Sequence, residues 1–240
     1  MTESPSYVLE SGSPAGISRA LLNAVRVETP VDGHLEALAR ASHDDLEPIR
    51  ADEETGLAFW LNLYNAATQL LLEERPGLFE SRIRFFRAAA ITVAGVDLSL
   101  DDIEHGIIRG RKSKYGLGYL PRLEPTGLPA GYQLGRDPRI HFALNCGAAS
   151  CPAIRFYEPE TIDSTLEEAT RTSLESTVEY DADRNRVVVP RVCLWFLGDF
   201  GGRSGIRSLL AAHELIPPDS SPKLRFASYD WTKARRMFLE

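Results

Sequence analysis

Cysteine, methionine and tryptophan are scarce in this chain, at 3, 2 and 3 of 240 residues. Three cysteines, few and odd in number, exclude a secreted disulfide scaffold and leave a reducing cytoplasm as the expected compartment. No apolar run approaches the ~20 residues of a membrane helix, so no membrane partner is expected. Met1-Thr2-Glu3-Ser4-Pro5 lacks the positive start and apolar stretch of a signal peptide. Positive charge is also short. The 27 Lys and Arg face 34 Asp and Glu, a net charge of -7, which argues against a nucleic-acid partner. The one basic run, Arg109 to Lys114, reads as a solvated loop or, failing that, an anion-binding patch.

Whole motifs are missing as well. The chain has no strand-flanked G-x-G-x-x-G, no P-loop, no G-x-S-x-G and no H-E-x-x-H. Dinucleotide, nucleotide-triphosphate, serine-hydrolase and zincin chemistries therefore lack support. Gly201 to Gly205 reads as a flexible turn with Ser204 capping the next helix, rather than as an anion nest.

What is present suffices for an ordinary globular domain. A chain of this length with 43% hydrophobic residues buries a sizeable core without staples. Ser13-Pro14 opens a helix through Leu21, Leu22 and Val25, and a second amphipathic stretch runs from about His34 through Leu35, Leu38 and Ala41. Leu57 to Leu72 is apolar on nearly every face, so it is expected to be buried, with Pro76-Gly77 as its stop. Asn62, Asn65 and Gln69 interrupt it at i, i+3 and i+7, one stripe that must meet loop backbone or line a site.

Ile91 to Leu98 reads as a hairpin about Ala94-Gly95. Ser99 then caps a helix with Asp102 three residues on, and Asp101 and His105 share a face. Residues 115–138 read as an irregular connection, and a helix follows over Thr161 to Leu174. Strands over residues 177–180 and 186–189, a helix ending near His213 and a strand at Lys223 to Phe226 complete the pattern. The fold class is α+β: a single domain with a small mixed or antiparallel sheet, a buried central helix and extra N-terminal helices. Residues 1–30 read as an N-terminal helical extension and 31–240 as the domain.

Chemistry concentrates in Arg139-Ile140-His141-Phe142-Ala143-Leu144-Asn145-Cys146-Gly147-Ala148-Ala149-Ser150-Cys151-Pro152, read as a short apolar strand and a small-residue turn. Two of three cysteines and one of five histidines fall within it. On an unbroken strand His141 and Cys146 point to opposite faces, ~16 Å apart at about 3.3 Å per residue. His105, arriving from another element, reaches a cysteine more easily. Cys193, within Val192-Cys193-Leu194-Trp195, reads as core.

Ala58-Phe59-Trp60-Leu61-Asn62-Leu63-Tyr64-Asn65-Ala66, Leu100-Asp101-Asp102-Ile103-Glu104-His105-Gly106-Ile107 and the 137–152 segment resemble the signature blocks of the domain of unknown function 547 family. Weaker echoes are Trp195 to Phe200 and Tyr229-Asp230-Trp231. The resemblance spans roughly residues 30 to 235. It implies that Asn62, Asn65, Glu104, His105, His141, Cys146, Ser150 and Cys151 are the family's polar or reactive positions. In plants similar domains follow leucine-zipper segments, and this chain has no such heptads.

Three readings follow, with enzyme or non-enzyme left open. The first is a binding or interaction domain with an Asn/His/Cys-lined pocket for a small molecule or peptide, needing no cofactor. The second is a cysteine hydrolase or acyl transferase, by analogy with papain or transglutaminase. There Cys146 or Cys151 is the nucleophile, His105 or His141 the base, and Asn62, Asn65 or Asp101 the orienting group. The third is a metal site of Cys146, Cys151, His141 and His105, although Cys-x₄-Cys lacks a second tight pair. In every reading these residues, with Glu104 and Ser150, surround one concavity.

Overall fold

The computed structural model describes residues 13–239. Residues 1–12 of the expected N-terminal extension lie outside that range. Pro14 occupies the first turn of α1 (Pro14–Val27), and the Ser13 side chain accepts the Gly16 N–H. After α2 (Asp32–Arg40) and the single turn α3 (Pro48–Ala51) comes α4 (Glu53–Glu74). Asp52 caps α4 through the Thr55 N–H, and Glu53 and Glu54 complement the positive end of its dipole. Every residue from Ala58 to Gln69 is buried. Each leucine so enclosed stabilises the fold by ~1.5–3 kcal/mol. Leu21, Leu22 and Val25 of α1 pack into the same core.

A turn at Pro76–Glu80 and the short α5 (Arg82–Arg87) lead to β1 (Ala89–Val93) and β2 (Val96–Ser99). These pair antiparallel about Ala94 and Gly95, both at positive φ, as a tight hairpin requires. Ser99 donates its N–H and hydroxyl to Asp102, which returns its own N–H to the Ser99 oxygen. This completes the expected capping box. The segment beyond it, Asp102–Ile108, is wound as a π-helix rather than an α-helix. Such turns are rare and concentrate at functional sites.

α6 (Ile162–Glu175) precedes β3 (Glu179–Asp181) and β4 (Arg186–Val189), and then come α7 (Val192–Trp195), α8 (Gly202–Ala212) and β5 (Lys223–Phe226). β4 pairs antiparallel with β3 and parallel with β5, so this sheet is mixed. The architecture is α+β, with a buried central helix and two small sheets.

Two local expectations are corrected. The His141 segment is not a strand but a 3₁₀ helix, Pro138–Phe142. Asp137 accepts the Arg139 N–H and Pro138 fills the first turn, a helix start that an apolar run concealed. Ser204 is not an N-cap either. α8 begins earlier, with Gly201 as its cap at φ 74°, and the Ser204 hydroxyl points back to the Gly201 carbonyl. Gly205 is needed because a Cβ there would lie 1.8 Å from the Phe200 carbonyl oxygen.

Two apolar cores result. One surrounds α4, and the other joins the mixed sheet to α8. Ile140, Ala143 and Leu144 belong to the first, and Phe142 to the second. The segment carrying His141 therefore bridges them.

Candidate functional site

The cysteine loop is built from α4 outward. The Asn65 amide donates to the Ala143 carbonyl at 3.1 Å and accepts the Asn145 N–H at 2.9 Å. Asn145 in turn accepts the Gly147 N–H and donates to the Pro152 carbonyl, tying the loop ends together. Gly147 sits at φ 84°, and a Cβ there would lie 2.6 Å from Leu72. From the other side comes the 229–238 segment. Ala149 donates to Thr232, Ser150 to Asp230 and Ile154 to Met237, and Gly147 accepts from Ala234. The Ser150 hydroxyl also accepts the Asp230 N–H at 2.8 Å.

Held this way, the Sγ atoms of Cys146 and Cys151 lie 2.9 Å apart. A disulfide would bring them to ~2.05 Å, so both are free thiols. Tyr229 Oη lies 3.3 Å from Cys146 Sγ and 3.2 Å from Cys151 Sγ, and the Cys146 N–H donates to Cys151 Sγ at 3.1 Å. Burial pushes the Cys151 thiol up, but donors from Cys146, Tyr229 and the backbone outweigh it and bring the group to about 7. The hydrogen bond with Cys151, with burial, pushes Cys146 well above its ordinary range. One proton shared between two sulfurs is the natural state of such a pair.

The pair lines a cavity of about 670 Å³, within the range of small-molecule sites. Asp101, Glu104, His105, His141 and Ser150 line it as well. Asn62 and Asn65 do not. Asn62 clamps the backbone of Tyr157 at 2.8 and 3.0 Å, as Asn65 clamps the cysteine loop. Gln69 accepts the Arg236 N–H. The amide stripe on α4 thus meets loop backbone throughout. Cys193 is fully enclosed in the second core, where burial pushes its thiol up to about 12.

Beside the thiols lies a buried ionic network. Arg109 Nε and His141 Nε2 meet the same Asp199 oxygen at 2.7 and 2.9 Å. Arginine only donates, so His105 Nδ1, 2.9 Å from Arg109 Nη1, is an acceptor and Nε2 carries the proton toward Asp101. Burial and the cationic Arg109 hold His105 well below its ordinary value. Burial likewise lowers His141 to about 4, against the pull of Asp199. The His141 ring stacks on Phe196 at 4.0 Å, with the Arg109 guanidinium 4.3 Å from the same ring centre. Arg109 is 3% exposed, so the basic run does not begin as a solvated loop. Lys114, at its end, pairs with Asp101.

Glu104 is largely enclosed; the Tyr64 hydroxyl donates to one of its oxygens at 3.2 Å, and His105 Nδ1 lies 3.5 Å from the other. Burial raises it to about 7 despite Arg109. Tyr64, Arg109, Asp199 and Tyr229 escaped the sequence reading as site residues. Tyr229 lay within a weak echo of the family pattern, and Arg109 within a run read as surface.

The model of a family described as protein of unknown function, DUF547, matches residues 48–173, just over half of the chain. The chain belongs to the DUF547 family. No curated protein and no solved structure matches it. The DUF547 match contains both cysteines, both site histidines, Tyr64, Glu104 and Arg109. Asp199, Trp195, Tyr229 and Trp231 fall outside it. More than a third of the residues lining the cavity lie beyond the DUF547 match.

Proposed function

We propose that the cavity binds a small-molecule or peptide disulfide and exchanges it with the Cys146–Cys151 dithiol. The observation that carries this reading is the 2.9 Å approach of two free sulfurs, one near neutrality and the other strongly protonated. Thiolate fraction sets attack, and a neighbouring thiol sets resolution.

The Cys151 thiolate attacks one sulfur of a disulfide R–S–S–R′. That bond breaks, R–S⁻ leaves, and Cys151 is joined to R′ as a mixed disulfide. Cys146 then attacks Cys151 Sγ, its proton passes to the departing sulfur, and R′–SH leaves. Two electrons move from the dithiol to the substrate, giving one protein disulfide and two thiols. Tyr229, facing both sulfurs, is placed to donate to whichever carries the charge. A reducing cytoplasm would return the pair to its dithiol form.

The acyl-transfer reading has less in its favour. It needs an imidazole at sulfur and free N–H groups for an oxyanion. Here both imidazoles are engaged by Arg109 and Asp199, and the N–H groups of Cys146, Gly147, Ala149, Ser150 and Cys151 are already bonded. For the metal reading, no cluster of three or more His, Cys, Asp or Glu side chains forms a ligand set among the described residues.

The test is differential alkylation with intact-mass analysis after exposure to hydroxyethyl disulfide. Wild type should lose two mass units through a Cys146–Cys151 bond. The Cys146→Ser variant should accumulate a mixed disulfide on Cys151, and Cys151→Ser should stay largely unmodified. Thiols that remain reduced until the protein unfolds would overturn the proposal.

A further inference from the structure

The charges around the cavity bear on which disulfides enter. Five charged side chains line it besides the histidines: Arg82, Lys114 and Arg191 against Asp101 and Glu104. Lys114 and Asp101 neutralise each other in a salt bridge. Glu104 is half protonated near neutrality. Arg82 and Arg191 have no carboxylate partner among the described residues, and the Arg82 guanidinium lies over the Trp231 ring at 4.6 Å. A protein of net charge -7 thus gives this cavity a locally positive lining. A low-dielectric cleft lined by one sign of charge concentrates ligands of the other sign. Arginine is also the side chain best shaped to grip a carboxylate with two parallel hydrogen bonds.

Trp231, under the Arg82 guanidinium, packs on Tyr229, which faces the thiols, and Trp195 packs on both, with ring centres 4.8–5.7 Å apart. Their faces offer an apolar wall for the stem of a ligand whose charged end meets an arginine. From this juxtaposition we infer that the site selects disulfides bearing carboxylate groups, as peptide-type thiols do, with Arg82 and Arg191 gripping the carboxylates while the sulfur reaches Cys151. This inference rests on the dithiol reading of the same cavity.

The experiment compares three disulfides on the reduced full chain: anionic glutathione disulfide, neutral hydroxyethyl disulfide and cationic cystamine. Each rate is divided by that of the same disulfide with a free monothiol, which removes intrinsic reactivity. The normalised rate for glutathione disulfide should exceed that for cystamine by about tenfold or more at low salt, and the ratio should shrink as ionic strength rises. The Arg82→Gln, Arg191→Gln double variant should bring the ratio near 1, and the Arg82→Lys, Arg191→Lys variant should restore part of it. Equal normalised rates for all three reagents would overturn the selectivity and leave the dithiol reading standing. Failure of every reagent to oxidise the pair would overturn that reading, and this inference with it.

Discussion

The side-chain oxygen of Asn65 accepts the Asn145 N–H at 2.9 Å, while its nitrogen donates to the Ala143 carbonyl at 3.1 Å. One buried amide thereby fixes the entry of the cysteine loop. Asn65→Ala would strand a buried N–H and a buried carbonyl, each costing about 1–3 kcal/mol. Urea unfolding should show a loss of roughly 2–6 kcal/mol, and alkylation of Cys146 and Cys151 in the native state should quicken as the loop loosens.

The paired sulfurs predict two unlike titrations. Alkylation against pH should show one thiol with a midpoint near 7, and a second that stays protected well above the usual thiol range. Removing donors should raise the first midpoint. Cys146→Ala should move it upward, and Tyr229→Phe should do so by a smaller amount. A midpoint unmoved in both variants would mean that these two donors do not set it.

Glu104 makes its own demand on stability. Its carboxyl is raised from 4.5 to about 7 in the folded protein, so the native state holds a proton that the unfolded chain releases. Below pH 4.5 both states are protonated and Glu104 exacts no penalty. Between pH 4.5 and 7 stability falls as pH rises, and above 7 the full loss of roughly 3 kcal/mol is present. Glu104→Gln should therefore be more stable than wild type at pH 8, with the gap closing toward pH 4.5. His141 acts oppositely. Held at about 4, it stays neutral while the unfolded chain takes up a proton below pH 6.5, so it weakens the fold as pH falls from 6.5 to 4. Chemical denaturation of both proteins across pH 4–8 separates the two contributions.

Asp199 balances a buried charge. Asp199→Ala would leave Arg109 enclosed without its carboxylate, a change that costs about 3–5 kcal/mol in comparable buried pairs. The His141 imidazole would also lose the partner that raises it. An NMR titration of a destabilised but folded variant should place His141 below its wild-type value of about 4.

Much of the scaffold was legible because its signals are local. The all-round apolar pattern of α4, the Ala94-Gly95 turn and the Ser99–Asp102 box each need fewer than two dozen neighbouring residues. The His141 segment reads as a strand because its four apolar neighbours, Ile140, Phe142, Ala143 and Leu144, match a strand as well as a helix, and Asp137-Pro138 is the cue to the latter. Arg109 was hidden for a different reason. A charged residue in a basic run reads as surface unless its partner is known, and Asp199 lies 90 residues away. The same separation concealed Tyr229. Asn62 and Asn65 were rightly marked as needing partners, yet periodicity alone does not tell a backbone clamp from a cavity wall.

The crossing of the 229–238 segment over the cysteine loop has a temporal side. A ribosome lays down Cys146 and Cys151 well ahead of Tyr229, which follows them by 83 and 78 residues. Until that stretch emerges, the loop lacks four backbone bonds and the hydroxyl that faces both sulfurs. The nascent chain therefore carries its cysteines before it carries the hydroxyl that faces them, and the paired sulfurs acquire their environment only once residues 229–238 have been made.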